Sequence, residues 1–233
     1  MTVSVTTVDV TVKPRLLDLF CCQGGASMGY HRAGFEVTGV DINPQPRYPF
    51  KFFQYDAIKF LEESGHRYDV IHASPPCQHD CSLTQGTNAG KFTYPDLLIP
   101  TLEALRASGK PFVVEQPPGK ASKRMRVDLT LCGEMFGLGV IRHRNFHIAG
   151  TTVVVPKHIK HRGPVRGWRH GRYTYGPYVA VYGKGGGKAT AQEAREAMGI
   201  DWIEDLEDLT EAIPPAYTEY LGRQLISRLG LAA

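Results

Sequence analysis

Tyr68-Asp69-Val70-Ile71-His72-Ala73-Ser74-Pro75-Pro76-Cys77-Gln78 reads as a short buried strand that runs into a rigid turn. The apolar, β-branched run has strand length. Two consecutive prolines fix φ and end it abruptly, which holds the next side chain in one place. That side chain is a cysteine. A cysteine beside a turn is ordinarily a small buried hydrophobe, but here the design is repeated. Lys110-Pro111-Phe112-Val113-Val114-Glu115-Gln116-Pro117-Pro118-Gly119 is again an apolar strand, a polar side chain at its carboxyl end, and a double proline. In an open α/β sheet the carboxyl ends of strands form the ligand-binding rim. Cys77 and Glu115 are therefore expected on one rim.

Working outward toward the N-terminus, Arg15 to Phe20 predicts the first strand and Cys21-Cys22-Gln23-Gly24-Gly25 a turn. Ala26 to Ala33 predicts a helix stopped by Gly34, and Phe35 to Val40 a second strand with Asp41 at its end. A strand, glycine turn, helix, strand and acid in this order is how α/β folds hold a nucleoside, the acid accepting from the ribose hydroxyls. The turn lacks the phosphate-binding G-x-G-x-x-G pattern, and no P-loop lysine follows. A nucleoside without a pyrophosphate fits better, and S-adenosylmethionine is the candidate. Asp56 ends a third run, Phe53 to Asp56, before a helix from Ala57 to Ser64. It can accept from an adenine amino group, cap that helix, or do both.

The chain of 233 residues is 42% hydrophobic, enough for one large α/β domain, or for one domain plus a small appendage. No apolar run reaches transmembrane length. Met1 to Pro14 lacks the charged start and apolar stretch of a signal peptide and predicts a frayed tail or an edge strand. Five cysteines, two of them adjacent, suit a reducing compartment and hence the cytoplasm. The net charge of +4 is unevenly spread. Between Thr151 and Gln192 lie Lys157, Lys160, Arg162, Arg166, Arg169, Arg172, Lys184 and Lys188, and no acid. Without that stretch the acids outnumber the bases. Basic residues interleaved with Trp168, Tyr173, Tyr175 and Tyr178 point to a polyanion partner. Lys120, Lys123, Arg124 and Arg126 form a second basic cluster. The loop from His79 to Tyr94 is long enough for a lid. Cys77, Cys81 and nearby His79 lack a second ligand pair at matching spacing, so no metal is expected. Helices are predicted from about Asp96 to Ser108, Ala189 to Gly199 and Tyr217 to Leu231.

Taken in order, Asp18-Leu19-Phe20 with Gly24-Gly25, Asp41, Pro75-Pro76-Cys77-Gln78, Glu115, and Arg142-His143-Arg144-Asn145-Phe146 resemble the C5-cytosine DNA methyltransferase family. The resemblance runs from about Arg15 to Gly150 and resumes from about Thr190 to Leu225. It implies a doubly wound, mostly parallel SAM-methyltransferase sheet (15–150) after an N-terminal tail (1–14). A small basic target-recognition region (151–189) and C-terminal helices that return to the first domain (190–233) would follow. It implies S-adenosylmethionine as cofactor, S-adenosylhomocysteine as product, double-stranded DNA as partner, a monomer, and a prokaryotic or phage source. Asp18, Phe20, Gly24, Gly25, Asp41, Ile42, Asp56 and Pro76 would bind the cofactor. Cys77 would attack C6 of a flipped-out cytosine, Glu115 would hold its amine and N3, and Arg142 and Arg144 its O2 and a neighbouring phosphate. Gln78, Lys157, Lys160, Arg162, Arg166, Trp168, Arg169 and Arg172 would contact nucleic acid.

The chain departs from the family pattern at several positions. Cys22 replaces a glycine of the cofactor turn, Gln116-Pro117 follows Glu115 in place of Asn-Val, Val140 replaces a glutamine, and Thr210-Glu211 stand where Gly-Asn is expected. A tRNA or other RNA cytosine methyltransferase shares the same catalytic set. A nucleic-acid-binding relative without activity, and an enzyme that transfers another group, also fit these residues. The small basic region predicts short or relaxed sequence specificity.

Overall fold

The computed structural model describes residues 12–80, 94–169, 171–182 and 189–231. Most of the expected N-terminal tail, the body of the His79–Tyr94 loop with Cys81, Lys184, Lys188 and the side chain of Arg169 lie outside the described residues.

Seven strands form one sheet: β1 (Arg15–Leu19), β2 (Glu36–Asp41), β3 (Lys51–Gln54), β4 (Val70–Ala73), β5 (Phe112–Gln116), β6 (Leu129–Leu131) and β7 (Arg144–Ala149). Their order is β3-β2-β1-β4-β5-β7-β6, with every pair parallel except those of β7, which runs antiparallel to both neighbours. The order reverses at β1 and β4, the crevice where such sheets bind ligands.

The side-chain period of two sorts β1 between the sheet's faces. Leu17 and Leu19 pack with Phe60 and Leu61 of α2 (Ala57–Ser64) and with Leu98, Leu102 and Leu105 of α3 (Leu98–Ala107). Leu16 faces the other way, toward Ala26 and Tyr30 of α1 (Gly25–Ala33) and Tyr217, Leu221 and Leu225 of α6 (Pro215–Arg228). Helices on both faces make the sheet doubly wound, as expected. The crossing of α1 and α6 is close because both carry glycine there. A Cβ on Gly222 would lie 2.7 Å from Ala33 Cβ.

The C-terminal region does more than return to the sheet. Between β7 and α6, α4 (Ala191–Met198) and α5 (Leu206–Glu211) join Val140, Val179 and Val181 in a third apolar cluster. Thr190 and Glu193 close a reciprocal capping box that starts α4. A two-stranded hairpin, β8 (Gly167–Arg169) and β9 (Arg172–Thr174), stands apart from the main sheet. Among the described residues no helix is long and apolar enough to cross a membrane.

Candidate active site

A cavity of about 690 Å³ opens at the carboxyl ends of β1, β2, β4 and β5. That is within the usual range for a small-molecule site. Asp18, Phe20, Gly25, Asp41, Ile42, Asp56, Pro76, Cys77, Gln78, Glu115 and Arg144 all line it. The register explains why Cys77 and Glu115 meet there. Ala73 of β4 pairs with Val114 of β5, so both chains leave the sheet side by side. Gln116, in the position where the family carries asparagine, donates through Nε2 to the Pro75 carbonyl at 2.5 Å and ties the two proline turns together.

Glu115 is buried, and its Oε1 lies 2.8 Å from Arg144 Nε. The pair is close but off the N–H axis: Oε1 receives no directed hydrogen bond among the described residues. Burial raises the Glu115 pKa, against the opposing pull of Arg144 and then Arg142. A carboxyl group that protonates readily, with one oxygen lacking a donor, is suited to holding both an amine and a ring nitrogen.

The end of the cavity beside β1 and β2 is built from strained backbone and acids. Phe20 and Cys22 hold φ of 59° and 44°, left-handed values that glycine adopts more easily. This is why a glycine is expected where Cys22 stands. Gly24 does not line the cavity; it caps α1 at φ 83° with Tyr48 packed against it. At Gly25 a Cβ would lie 2.5 Å from the Ile213 carbonyl oxygen, so only glycine lets the C-terminal segment close this side. Asp41 accepts backbone N–H groups from Cys22 and Asn43, both at 3.0 Å. Each oxygen keeps a second lone pair for a ligand. Asp56 caps α2 through Oδ1, which accepts from Ile58 and Lys59, and also lines the cavity. Asp18 is fully buried, takes the Ser27 hydroxyl on Oδ2, and leaves Oδ1 without a partner. Burial pushes its pKa up to about 7. With Glu211, the described residues of the cavity wall carry five acids against one arginine, Arg144. That lining suits a cationic ligand and opposes a pyrophosphate.

Several expected roles are corrected by the geometry. Arg142 does not line the cavity. It is buried and spends its guanidinium on the backbone carbonyls of Ala212 (3.0 Å), Val181 (2.6 Å) and Thr210. Burial, then the charge of Arg144, pushes its pKa down to about 9, which leaves it charged at neutral pH. It staples the C-terminal segment to the site, three of its five N–H groups spent on those carbonyls, and it does not face the cavity. Arg162 is held by both carboxylate oxygens of Glu134, at 2.8 and 3.0 Å, and Arg166 is paired with Glu193. Tyr178 is fully buried and donates to Glu134 at 2.6 Å. These three hold the lobe together. Arg124 and Arg126 of the second basic cluster are likewise paired, with Asp96 and Asp128. Lys157, Lys160, Trp168, Arg172, Tyr173 and Tyr175 remain exposed, the three rings grouped along the hairpin.

Ser74 and the pair of hydrogen bonds behind it carry no signal in the local sequence. His72, fully buried, bridges the Tyr30 hydroxyl at Nδ1 and the Ser74 hydroxyl at Nε2, each at 2.9 Å. Ser74 opens onto the cavity. Burial holds the His72 pKa down at about 3, so the ring is neutral.

No protein-family model and no curated protein sequence matches the chain. Solved structures do. A protein described as a DNA modification methyltransferase from an Escherichia coli prophage aligns over 94% of this chain and all of its own, at TM-score 0.59 and 16% identity. This is a methyltransferase fold. The Schizosaccharomyces pombe Dnmt2 methyltransferase shares it over 92% of this chain and 99% of its own, with TM-score 0.65 and 14% identity. The Entamoeba histolytica methyltransferase EhMeth shares it over 93% and 98%, with TM-score 0.56 and 12% identity. At such identities the likeness is one of fold, and the chemistry has to be argued from the residues of the site.

Proposed function

We propose that the chain is a SAM-dependent methyltransferase that modifies C5 of cytosine in duplex DNA. The observation that carries this reading is that Cys77 and Glu115 leave adjacent parallel strands and line one cavity, with Arg144 against Glu115. The acidic lining and the orphaned Asp18 Oδ1 fit a nucleoside bearing a sulfonium and an ammonium group. Asp41 would accept from the ribose hydroxyls and Asp56 from the adenine amine. When bound, S-adenosylmethionine supplies an electrophilic methyl group.

The chain's own residues do the rest. Cys77, as thiolate, adds to C6 of the base, and the C5–C6 electron pair becomes available at C5. Glu115, protonated, donates to N3 and offsets the negative charge this addition develops, while its other oxygen accepts from the exocyclic amine. Arg144 fixes the Glu115 carboxyl and presents its remaining N–H groups to O2. After C5 has gained the methyl group, a base removes the C5 proton, the C5–C6 double bond re-forms, and Cys77 leaves with its electron pair. The base would reach the cavity flipped out of the duplex, at a cost of a few kcal/mol offset by the exposed lobe.

The test uses a duplex with 5-fluorocytosine at methylated positions. Without a C5 proton to lose, the adduct should persist and migrate as a covalent protein–DNA band that Cys77→Ser abolishes. An adduct unaffected by Cys77→Ser would overturn the assignment. Competition for methyl incorporation between duplex DNA and tRNA decides the substrate, and preference for tRNA would replace DNA with RNA in this reading.

A further inference from the structure

A second cluster of reactive side chains lies outside the cavity. We infer that Cys132, His143, His158 and His161 form a zinc site that pins the basic segment 157–162 to the strand bearing Arg144. This inference is independent of the reaction proposed above. The spacing of Cys77, His79 and Cys81 has no bearing on these four residues, which are spread over 30 positions of the sequence and are gathered by the fold.

Their meeting follows from strand register. Leu131 of β6 pairs with Arg144 of β7. One step beyond that pair, Cys132 and His143 become cross-strand neighbours. The chain leaving β7 then returns with His158-Ile159-Lys160-His161, two imidazoles three residues apart. One potential ligand atom from each of the four residues lies within 4.8 Å of all the others. Cys132 Sγ is 3.4 Å from His161 Nε2, and His143 Nε2 is 3.1 Å from His158 Nε2.

The two short separations are close to those a tetrahedral ion imposes. Zinc–nitrogen and zinc–sulfur bonds of about 2.0 and 2.3 Å give tetrahedral edges of about 3.3 Å between nitrogens and about 3.5 Å from nitrogen to sulfur. Without an ion, three imidazoles would crowd together in one place, the ring centroids 5.0 to 5.4 Å apart. Two Nε2 atoms facing each other at 3.1 Å have one proton between them at best, whereas a cation satisfies both lone pairs. One thiolate and three imidazoles are a borderline-soft set with no oxygen donor, which excludes magnesium and calcium and matches zinc. Four protein ligands fill the tetrahedron, so the site is structural. Its consequence for the molecule is positional. His143 sits between Arg142 and Arg144, while His158 and His161 flank exposed Lys160 and adjoin Lys157 and Arg162. The ion would lock the nucleic-acid-facing segment against the arginine strand.

The full chain, purified without chelator and dialysed against metal-free buffer, should retain about one zinc per molecule by mass spectrometry. Replacement by cobalt(II) should give tetrahedral d–d bands and a thiolate-to-cobalt charge-transfer band. Both Cys132→Ser and His158→Gln should lose the metal, and Cys132→Ser the charge-transfer band. Stripping the ion should speed tryptic cleavage after Lys157 and Lys160 several-fold. His158 is exposed, so His158→Gln spares the core and decides the matter if Cys132→Ser does not fold. A chain that neither retains zinc nor takes up cobalt overturns the inference, as does metal retained in full by both variants.

Discussion

Arg144 reaches Glu115 across the antiparallel β5–β7 pair, Nε to Oε1 at 2.8 Å, and both side chains are almost fully shielded from solvent. Removing one partner of such a pair strands the other charge, which costs about 3 kcal/mol or more. Arg144→Ala should therefore destabilise the fold by about 3 kcal/mol at neutral pH, read from denaturant midpoints. Sign matters here. Arg144 lowers the Glu115 pKa, so its loss lets burial raise that pKa further. The penalty should then grow as pH rises above the usual carboxylate range and shrink as pH falls below it, where the carboxyl is neutral in both states. Adding Glu115→Gln should restore most of the loss; an unchanged penalty in the double variant would show that packing alone is at stake.

Asp18 and His72 make opposite contributions to acid stability. Asp18 has its pKa raised from 3.8 to about 7 in the fold, so the folded state binds the extra proton between those values and stability falls as pH rises through them. His72 is lowered from 6.5 to about 3, so the unfolded state binds the extra proton and stability falls as pH drops below 6.5. Between pH 3.8 and 6.5 the two offset one another. Asp18→Asn removes one of them. The variant should be no more stable than the parent near pH 4 and more stable above pH 7, by up to about 4 kcal/mol. Parallel stability curves for the two proteins, measured without cofactor, would rule this out.

The parts of this picture that were legible in the sequence are those set by local chemistry. Pro75-Pro76 and Pro117-Pro118 follow and end apolar strands, and Gly34, at φ 119°, caps the end of α1. Asp56 caps α2 with its own side chain, and Thr190 and Glu193 cap α4 reciprocally. The rest was illegible because it is decided by partners far along the chain. Arg142 and Ala212 are separated by 70 residues, Arg162 and Glu134 by 28. Nothing near Arg142 in the sequence says that three carbonyls will hold it. Strands β6, β8 and β9, each of three residues, are too short to show a period. The cluster of Cys132 with three histidines needs the β6–β7 register before it exists at all.

Gly29 tests the crossing of α1 and α6. Helix propensity alone favours Gly29→Ala by about 1 kcal/mol. Against this, a Cβ there would lie 2.7 Å from the Glu219 backbone nitrogen and still closer to Thr218 Oγ1 and the Pro215 carbonyl oxygen. Backbone atoms cannot rotate away, so the helices must separate, and Tyr217, Leu221 and Leu225 lose packing on the sheet. Overpacking of this kind costs about 1–3 kcal/mol, more where backbone must move. The clash should win, leaving Gly29→Ala about 2 kcal/mol less stable than the parent by thermal or urea unfolding. A gain in stability would mean that α6 is not seated as described.

The basic lobe has fewer cations to give to phosphate than its sequence implies. Arg162 and Arg166 are committed to Glu134 and Glu193, which leaves Lys157, Lys160 and Arg172 as exposed cations outside those pairs among the described residues of the lobe. Each phosphate neutralised adds about −0.9 to the slope of log K against log salt. Contacts through these three predict a slope of about −3 for duplex DNA. Substituting both Lys157 and Lys160 with alanine should flatten it by about 2 and weaken binding equally for all sequences, since phosphate contacts carry no base information. Arg162→Ala should behave differently. Freeing Glu134 removes a buried carboxylate's counter-charge, so it should lower stability while changing the salt slope little. A slope that falls by a full unit in Arg162→Ala, with stability unchanged, would return that arginine to the phosphate-binding set.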